Sequence, residues 1–190
     1  MTGSNEMTPM AATNLNIPVL ETPRMILRSH KLEDFDAMVT MLHDPVVNRL
    51  FHGPKLTRED IWSRFLRHFG MWAVMGYGCW AVEEKETGDY IGTIGTFEVR
   101  RDMTPNLEGV PEAGWTFASR VHGKGYATEA ARAALAWTDA QLDHPKMFCI
   151  IVPENAASIR VAEKCGFRYW QDTIYKDVKT SIFLREPQPI

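Results

Sequence analysis

Hydrophobic and polar positions change period repeatedly along this chain, and each change marks an element. Residues 24–28 alternate polar and apolar and predict a strand, bounded by Pro23 before it and by the helix start Leu32-Glu33-Asp34 after it. Phe35, Met38, Val39 and Leu42 then recur at helical spacing, and Asp44-Pro45 ends that helix because the residue before a proline avoids helical backbone. A second helix begins at Thr57, with Glu59 and Asp60 in its first turn and Ile61, Phe65 and Phe69 four apart. Strands follow at residues 79–82 and 90–97, separated by a charged, glycine-containing turn, and at 111–117; the three predict an antiparallel meander. From Gly125 the period is helical again, with Ala127, Ala131, Ala134, Leu135 and Leu142 on one stripe whose small residues suit close packing on a sheet. Residues 147–152 are nearly all apolar, as in a strand buried on both faces. A helix over 156–164 ends at Gly166, and residues 167–174 and 180–184 close the chain as a hairpin.

Composition narrows the class. A chain of 190 residues with 45% apolar content suits one domain, expected over residues 18–190, behind a polar, disordered tail at 1–17 that lacks the features of a secretory signal. With 21 basic against 24 acidic residues, no net field argues for nucleic acid or an anionic membrane, so any anion site must be local. No segment reaches the roughly 20 consecutive apolar residues of a membrane span, and a cytoplasmic location is expected by default. Cys79, Cys149 and Cys165 are odd in number and at no metal-ligand spacing, and read as reduced core residues. His52, His68 and His122 likewise show no metal pattern and read as surface or structural; no metal is expected.

The most informative stretch is residues 120–130, where Gly123, Lys124 and Gly125 form a turn running into an alanine-rich helix. Backbone N–H groups at a helix start lack intrahelical partners and sit at the positive end of the macrodipole, and glycine lets them approach an anion closely. A Walker A loop is excluded because Gly125 follows Lys124, and a Rossmann fingerprint because the third glycine is missing. A plain helix cap is the competing reading of the same residues.

Element order and motifs together resemble the GNAT acyltransferase fold over about residues 18–186. Glu112-Ala113-Gly114-Trp115 with His122-Gly123-Lys124-Gly125-Tyr126-Ala127-Thr128-Glu129-Ala130 is similar to the acyl-CoA pyrophosphate motif of RimJ/RimL-type N-acetyltransferases, and Asn155-Ala156-Ala157-Ser158 through Gly166-Phe167 to their second cofactor element. The resemblance implies an α/β fold of the α+β type: a mixed sheet of about seven strands, splayed in the middle, with about four helices. It implies acetyl-CoA as co-substrate, contacted along Trp115, Thr116 and Phe117, at His122, Gly123, Lys124, Gly125, Tyr126 and Ala127, and at Asn155 and Ser158. Asn155 and Ser158 are also common helix starters, which is their other reading.

The implied chemistry is direct attack of a primary amine, on a peptide N-terminus or a small molecule, on the thioester. Glu112 is the candidate base, acting through water, against the alternative of a solvated or salt-bridged strand carboxylate. The resemblance places Ala162 where several GNAT enzymes carry a tyrosine acid, which leaves open a noncatalytic acyl-CoA-binding sensor. Tyr126, Tyr169 and Tyr175 are other possible donors, and the amide near Phe117 is the implied oxyanion donor. Phe51, His52, Met71, Trp72, Met75, Tyr77 and Trp80 are candidates to line the acceptor cleft or to pack in the core. A homodimer is possible on family grounds.

Overall fold

The computed structural model describes residues 15–49, 55–143 and 145–187. Among the described residues eight strands form one sheet: β1 (Leu20–Glu21), β2 (Met25–Arg28), β3 (Cys79–Glu84), β4 (Tyr90–Phe97), β5 (Glu112–Phe117), β6 (Met147–Ile151), β7 (Arg168–Tyr175) and β8 (Val178–Arg185). They lie in the order β1-β2-β3-β4-β5-β6-β8-β7. Five α-helices accompany them among the described residues: α1 (Asp34–His43), α2 (Pro45–Asn48), α3 (Arg58–Met75), α4 (Tyr126–Gln141) and α5 (Ala156–Lys164).

The count exceeds the expected seven strands and four helices by one short element of each kind. β1 is two residues long, below what periodicity detects. α2 arises because Asp44-Pro45, which stops α1, also starts a new turn: Asp44 Oδ1 accepts from Val46 N at 2.8 Å and Pro45 occupies the first helical position. The Thr57 start of α3 is a full capping box with Asp60, and the helix ends at Gly76 in left-handed backbone (φ +74°). Leu15 and Ile17 pack against the core, and Trp80 Nε1 donates to Pro18 O at 2.8 Å, so ordered packing starts inside the segment read as a tail. Residues 1–14 lie outside the described residues, as do Phe51 and His52.

The main core holds the buried face of α4 (Ala130, Ala131, Ala134 and Leu135) and Ala162 of α5 against Ala113 and Phe117 of β5. Thr138 and Asp139 lie on the same buried stripe, while Ala127 is half-buried. α1 and α3 build a smaller cluster from Met38, Val39, Met41, Leu42, Ile61 and Phe65. β3, β4 and β5 form the antiparallel meander that alternation predicts. β6 carries the buried, two-sided apolar pattern expected of residues 147–152, and β8 pairs with it antiparallel from Met147↔Arg185 to Ile151↔Ser181.

Candidate active site

β5 and β6 are parallel neighbours joined at a single register pair, Glu112↔Phe148, next to a bond from Phe148 N to Pro111 O at 3.1 Å. Beyond that pair the strands part. The direction of the β5 backbone groups follows from the ladder on its other side. Ala118 N donates to Ile91 O, and in an antiparallel ladder residues alternate between bonding a partner and facing away from it. Thr116, Gly114 and Glu112 therefore bond β4, and beyond the pair with β6 the N–H and C=O of Trp115 and the N–H of Phe117 turn into the gap, while Phe117 C=O meets His122 Nε2. This is an open strand edge inside the sheet.

Below the gap the chain makes the glycine bend. Gly123 and Gly125 both have positive φ (+74° and +83°), backbone that only glycine adopts without strain, and Gly125 is the N-cap of α4. Arg24 clamps the bend: its Nη1 donates to Lys124 O at 2.8 Å, its Nε to Glu129 Oε2 at 2.8 Å, and its guanidinium lies 4.2 Å from the centre of the Tyr126 ring. Glu129 reads from sequence as ordinary helix stabilisation; it also fastens β2 to the bend, accepting from Arg24 N at 3.1 Å. Tyr126 is buried and its hydroxyl donates to Glu84 Oε1 at 2.6 Å, while Arg120 Nη1 donates to Glu84 Oε2 at 2.7 Å. Those partners, the Tyr126 hydroxyl first, hold the Glu84 carboxyl down at about 2. His122 Nε2 lies 2.9 Å from Phe117 O and ties the bend to the end of β5.

A groove of about 330 Å³ runs from this bend to α5, lined by Trp115, Thr116 and Phe117, by His122, Gly123, Gly125, Tyr126 and Ala127, and by Asn155 and Ser158. The Lys124 side chain is exposed beside it. Arg160 and Lys164 of α5 also line the groove, cations that sequence reasoning did not single out although they sit on the helix of the second motif. Asn155 caps α5, its Oδ1 accepting from Ser158 N at 3.1 Å, and Ser158 Oγ accepts from Trp115 Nε1 at 3.3 Å. The cap uses the oxygen of the Asn155 side chain and leaves its NH₂ donors available. Helix start and ligand contact are therefore compatible at this residue.

Trp115, Thr116, Asn155 and Ser158 also border a second cavity, of about 200 Å³, that reaches past the gap to α1 and α3. Its wall includes Met38, Met41, Arg64, His68, Cys79, Phe97 and Glu112. Glu112 is buried and held by Arg101 through Nε–Oε2 at 2.7 Å and Nη2–Oε1 at 2.8 Å, in the two-pronged geometry of a guanidinium on a carboxylate. Burial pushes its carboxyl up and Arg101 opposes that shift. Of the alternatives at this position, a solvated carboxylate does not describe it; a salt-bridged one does. Arg101 comes from the polar loop before β5 and was not legible as a partner.

The aromatic run of α3 and β3 divides. Trp72 and Trp80 are buried and meet Trp137 edge-on at 5.4 and 5.2 Å, so they belong to the core, and Tyr77 is buried as well. Met71 of that run lines a cavity. Tyr169 is exposed on β7, and Tyr175 is buried beside Arg101, whose guanidinium lies 4.9 Å from its ring centre. Ala162 is fully buried. The three cysteines are free and buried. Among the described residues no cluster of histidine, cysteine and carboxylate side chains has the makings of a metal site, and no helix is long and apolar enough to cross a membrane.

Comparison with known proteins agrees with this geometry. Residues 24–168 match the family model described as an acetyltransferase (GNAT) domain. YkkB, an uncharacterized protein of Bacillus subtilis, is 36% identical over 153 residues, 79% of this chain and 85% of YkkB. A putative GNAT-family acetyltransferase from Bordetella pertussis superposes with a TM-score of 0.78 at 29% identity, over 89% of this chain and 99% of that one. AAC(6')-Ib, solved with paromomycin and acetyl-CoA, shares the fold at a TM-score of 0.69 and 19% identity, over 85% and 93% of the two chains. A match that begins at the clamping Arg24 and takes in the split strand pair, the glycine bend and the capped α5 places the chain in the GNAT family of N-acetyltransferases.

Proposed function

We propose that this enzyme transfers the acetyl group of acetyl-CoA to a primary amine, a peptide N-terminus as in RimJ/RimL-type enzymes or a small molecule, within a ternary complex. The observation that carries the reading is the open β5 edge leading directly into the glycine bend. Pantetheine has amides at strand-like spacing and a pyrophosphate at its nucleotide end; a strand edge with backbone groups turned into the gap suits the first and a helix N-terminus the second. Trp115 and Phe117 bond the arm through their backbone, with Thr116 alongside. Gly123, Lys124, Gly125, Tyr126 and Ala127 present amides to the pyrophosphate next to His122, and Arg160 and Lys164 supply positive charge nearby. Asn155 donates its NH₂ to the arm and Ser158 lies next to it. The fold holds the same co-substrate in AAC(6')-Ib.

The thioester then lies beyond Trp115, across from Ile150, where the groove opens into the second cavity. The amine nitrogen attacks the carbonyl carbon, the oxyanion takes a hydrogen bond from the β5 backbone near Phe117, the C–S bond breaks and the thiolate leaves. A thiolate of this kind has a pKa near 8.5, so it departs without a tyrosine acid, consistent with Ala162 at that position. An α-amine with a pKa near 8 is about one-tenth neutral at pH 7, against roughly one part in two thousand for a lysine amine, and so asks little of a base. Glu112 takes the surplus proton through a water: Arg101 fixes both its oxygens, and each keeps a lone pair for that water.

Release of CoA thiol from acetyl-CoA, followed with a panel of amines and together with heat protection by CoA, tests the reading. Protection plus amine-dependent release is expected. Protection without release on any amine favours a noncatalytic sensor instead, and absence of protection removes the groove assignment. A cytoplasmic location and a homodimer complete the proposal; gel filtration with light scattering tests the dimer.

A further inference from the structure

The cavity of about 200 Å³ shares Arg64, His68, Cys79, Phe97 and Arg101 with a neighbouring cavity of about 170 Å³ whose remaining walls are Arg67, Met71, Val99, Tyr175 and Lys176. Four cationic side chains therefore line the space that continues the acceptor side of the gap, and no carboxylate lines the outer cavity among the described residues. Two acids near it are already engaged. Glu112 is bound by Arg101, and Asp60, exposed near Arg64 and Lys176, accepts from Thr57 N and Oγ1. Burial and the neighbouring Arg67 and Arg101 bring the Arg64 guanidinium down to about 10, so the cations crowd one another. His68 adds a polar atom: its Nε2 is buried without a hydrogen-bond partner, and its ring stacks on His30 at 4.4 Å, nearly parallel at 6°. Both imidazoles are neutral at pH 7, since burial pushes His30 to about 3 and His68 well below its usual value.

We infer that the acceptor is a small amine that carries its own carboxylate or phosphate, with the amine at the thioester and the anionic group between Arg64, Arg67, Arg101 and Lys176. The inference rests on the acetyl-transfer reading and narrows its substrate class. Guanidinium forks match planar carboxylates and phosphates, an anion relieves the mutual repulsion of the cluster, and a neutral His68 can donate one N–H to it. A polycation such as an aminoglycoside meets the opposite field.

Matched acceptors decide the matter in the thiol-release assay: glutamate and β-alanine against their carboxamides, an amino-sugar phosphate against the unphosphorylated sugar, and paromomycin. The expected result is a kcat/KM at least tenfold higher for the acid of each pair, falling toward parity between 0.05 and 0.5 M NaCl, with paromomycin the poorest. Carboxylate and phosphate arms tell the two sources of the anion apart. In the double variant Arg67→Gln/Lys176→Gln the acid-to-amide ratio is expected to collapse through KM, with CoA heat protection showing that the variant is folded. Equal or inverted ratios, preference for paromomycin or for an acidic peptide over every small acid, or an unchanged ratio in the double variant overturn the inference while acetyl transfer stands. Should CoA bind and no amine release thiol, acetyl transfer itself falls; calorimetric titration of glutamate and glutamine into the CoA-saturated protein then still decides the anion site, with glutamate binding tighter expected and equal or weaker binding overturning it.

Discussion

Glu112 shows how far a single residue is legible. Strand alternation puts it on one face of β5 with Gly114 and Thr116, and all three border the cavity beyond the gap. Its engagement by Arg101 was not legible, because the guanidinium comes from an irregular loop whose path no periodicity describes. With Glu112 as base, Glu112→Gln is expected to lower kcat about 100-fold with the CoA affinity retained. The acid limb of the pH profile of kcat/KM, set by a carboxyl that burial raises, is expected to vanish with it, since the wild-type base is lost as pH falls through that pKa. An unaltered pH profile in the variant removes the assignment. Asp139 and Arg185 are a purely structural counterpart, bonded at 2.7 and 2.6 Å and both buried. Asp139→Ala leaves the Arg185 charge buried alone, so urea unfolding is expected to register a loss of about 3–5 kcal/mol.

Among the elements, those with a strong period and a local stop signal were readable to within a few residues. Thr57 at the start of α3, the Gly125 start of α4 and the Gly166 end of α5 all fall where caps predict. Missed were the elements whose cause is not a period: β1, built by pairing with β2, and α2, built by one aspartate side chain. The bend before α4 was legible as a glycine turn into a helix, and its reinforcement by Arg24 was not, since that contact spans about a hundred residues of chain. Gly125→Val is expected to weaken CoA binding by more than tenfold in calorimetric titration, because a β-branched residue is strained at φ +83° and its Cβ comes within 3.5 Å of the Arg24 guanidinium. The first residue of α4 also makes this element sensitive to acid. Glu84, which receives the Tyr126 hydroxyl, titrates at about 2 against its ordinary 4.5. Its contribution is present above about 4.5 and is lost as pH falls toward 2. Thermal melts over that interval are expected to show a shallower decline in Glu84→Gln than in wild type.

At the scale of the whole molecule, the succession of strands and helices was visible from pattern, while the fold class and the splayed sheet came with the family resemblance, since the opening depends on pairing between strands some thirty residues apart in sequence. The chain from β1 to β5 and the chain from β6 to β8 share one backbone register pair, and between them α4 and its Asp139–Arg185 link act as a strap. A ligand that binds only the native state at a hundred times its dissociation constant adds about 2.7 kcal/mol of stability. Saturating CoA is expected to raise the melting temperature accordingly.

The thin seam between the two strand groups has a mechanical corollary. In the empty enzyme the two groups are expected to open separately despite their shared core, with amide exchange of β6 and β8 running at a different rate from that of β3 and β4. With a pantetheine arm in the seam as a removable rivet, the two rates are expected to converge.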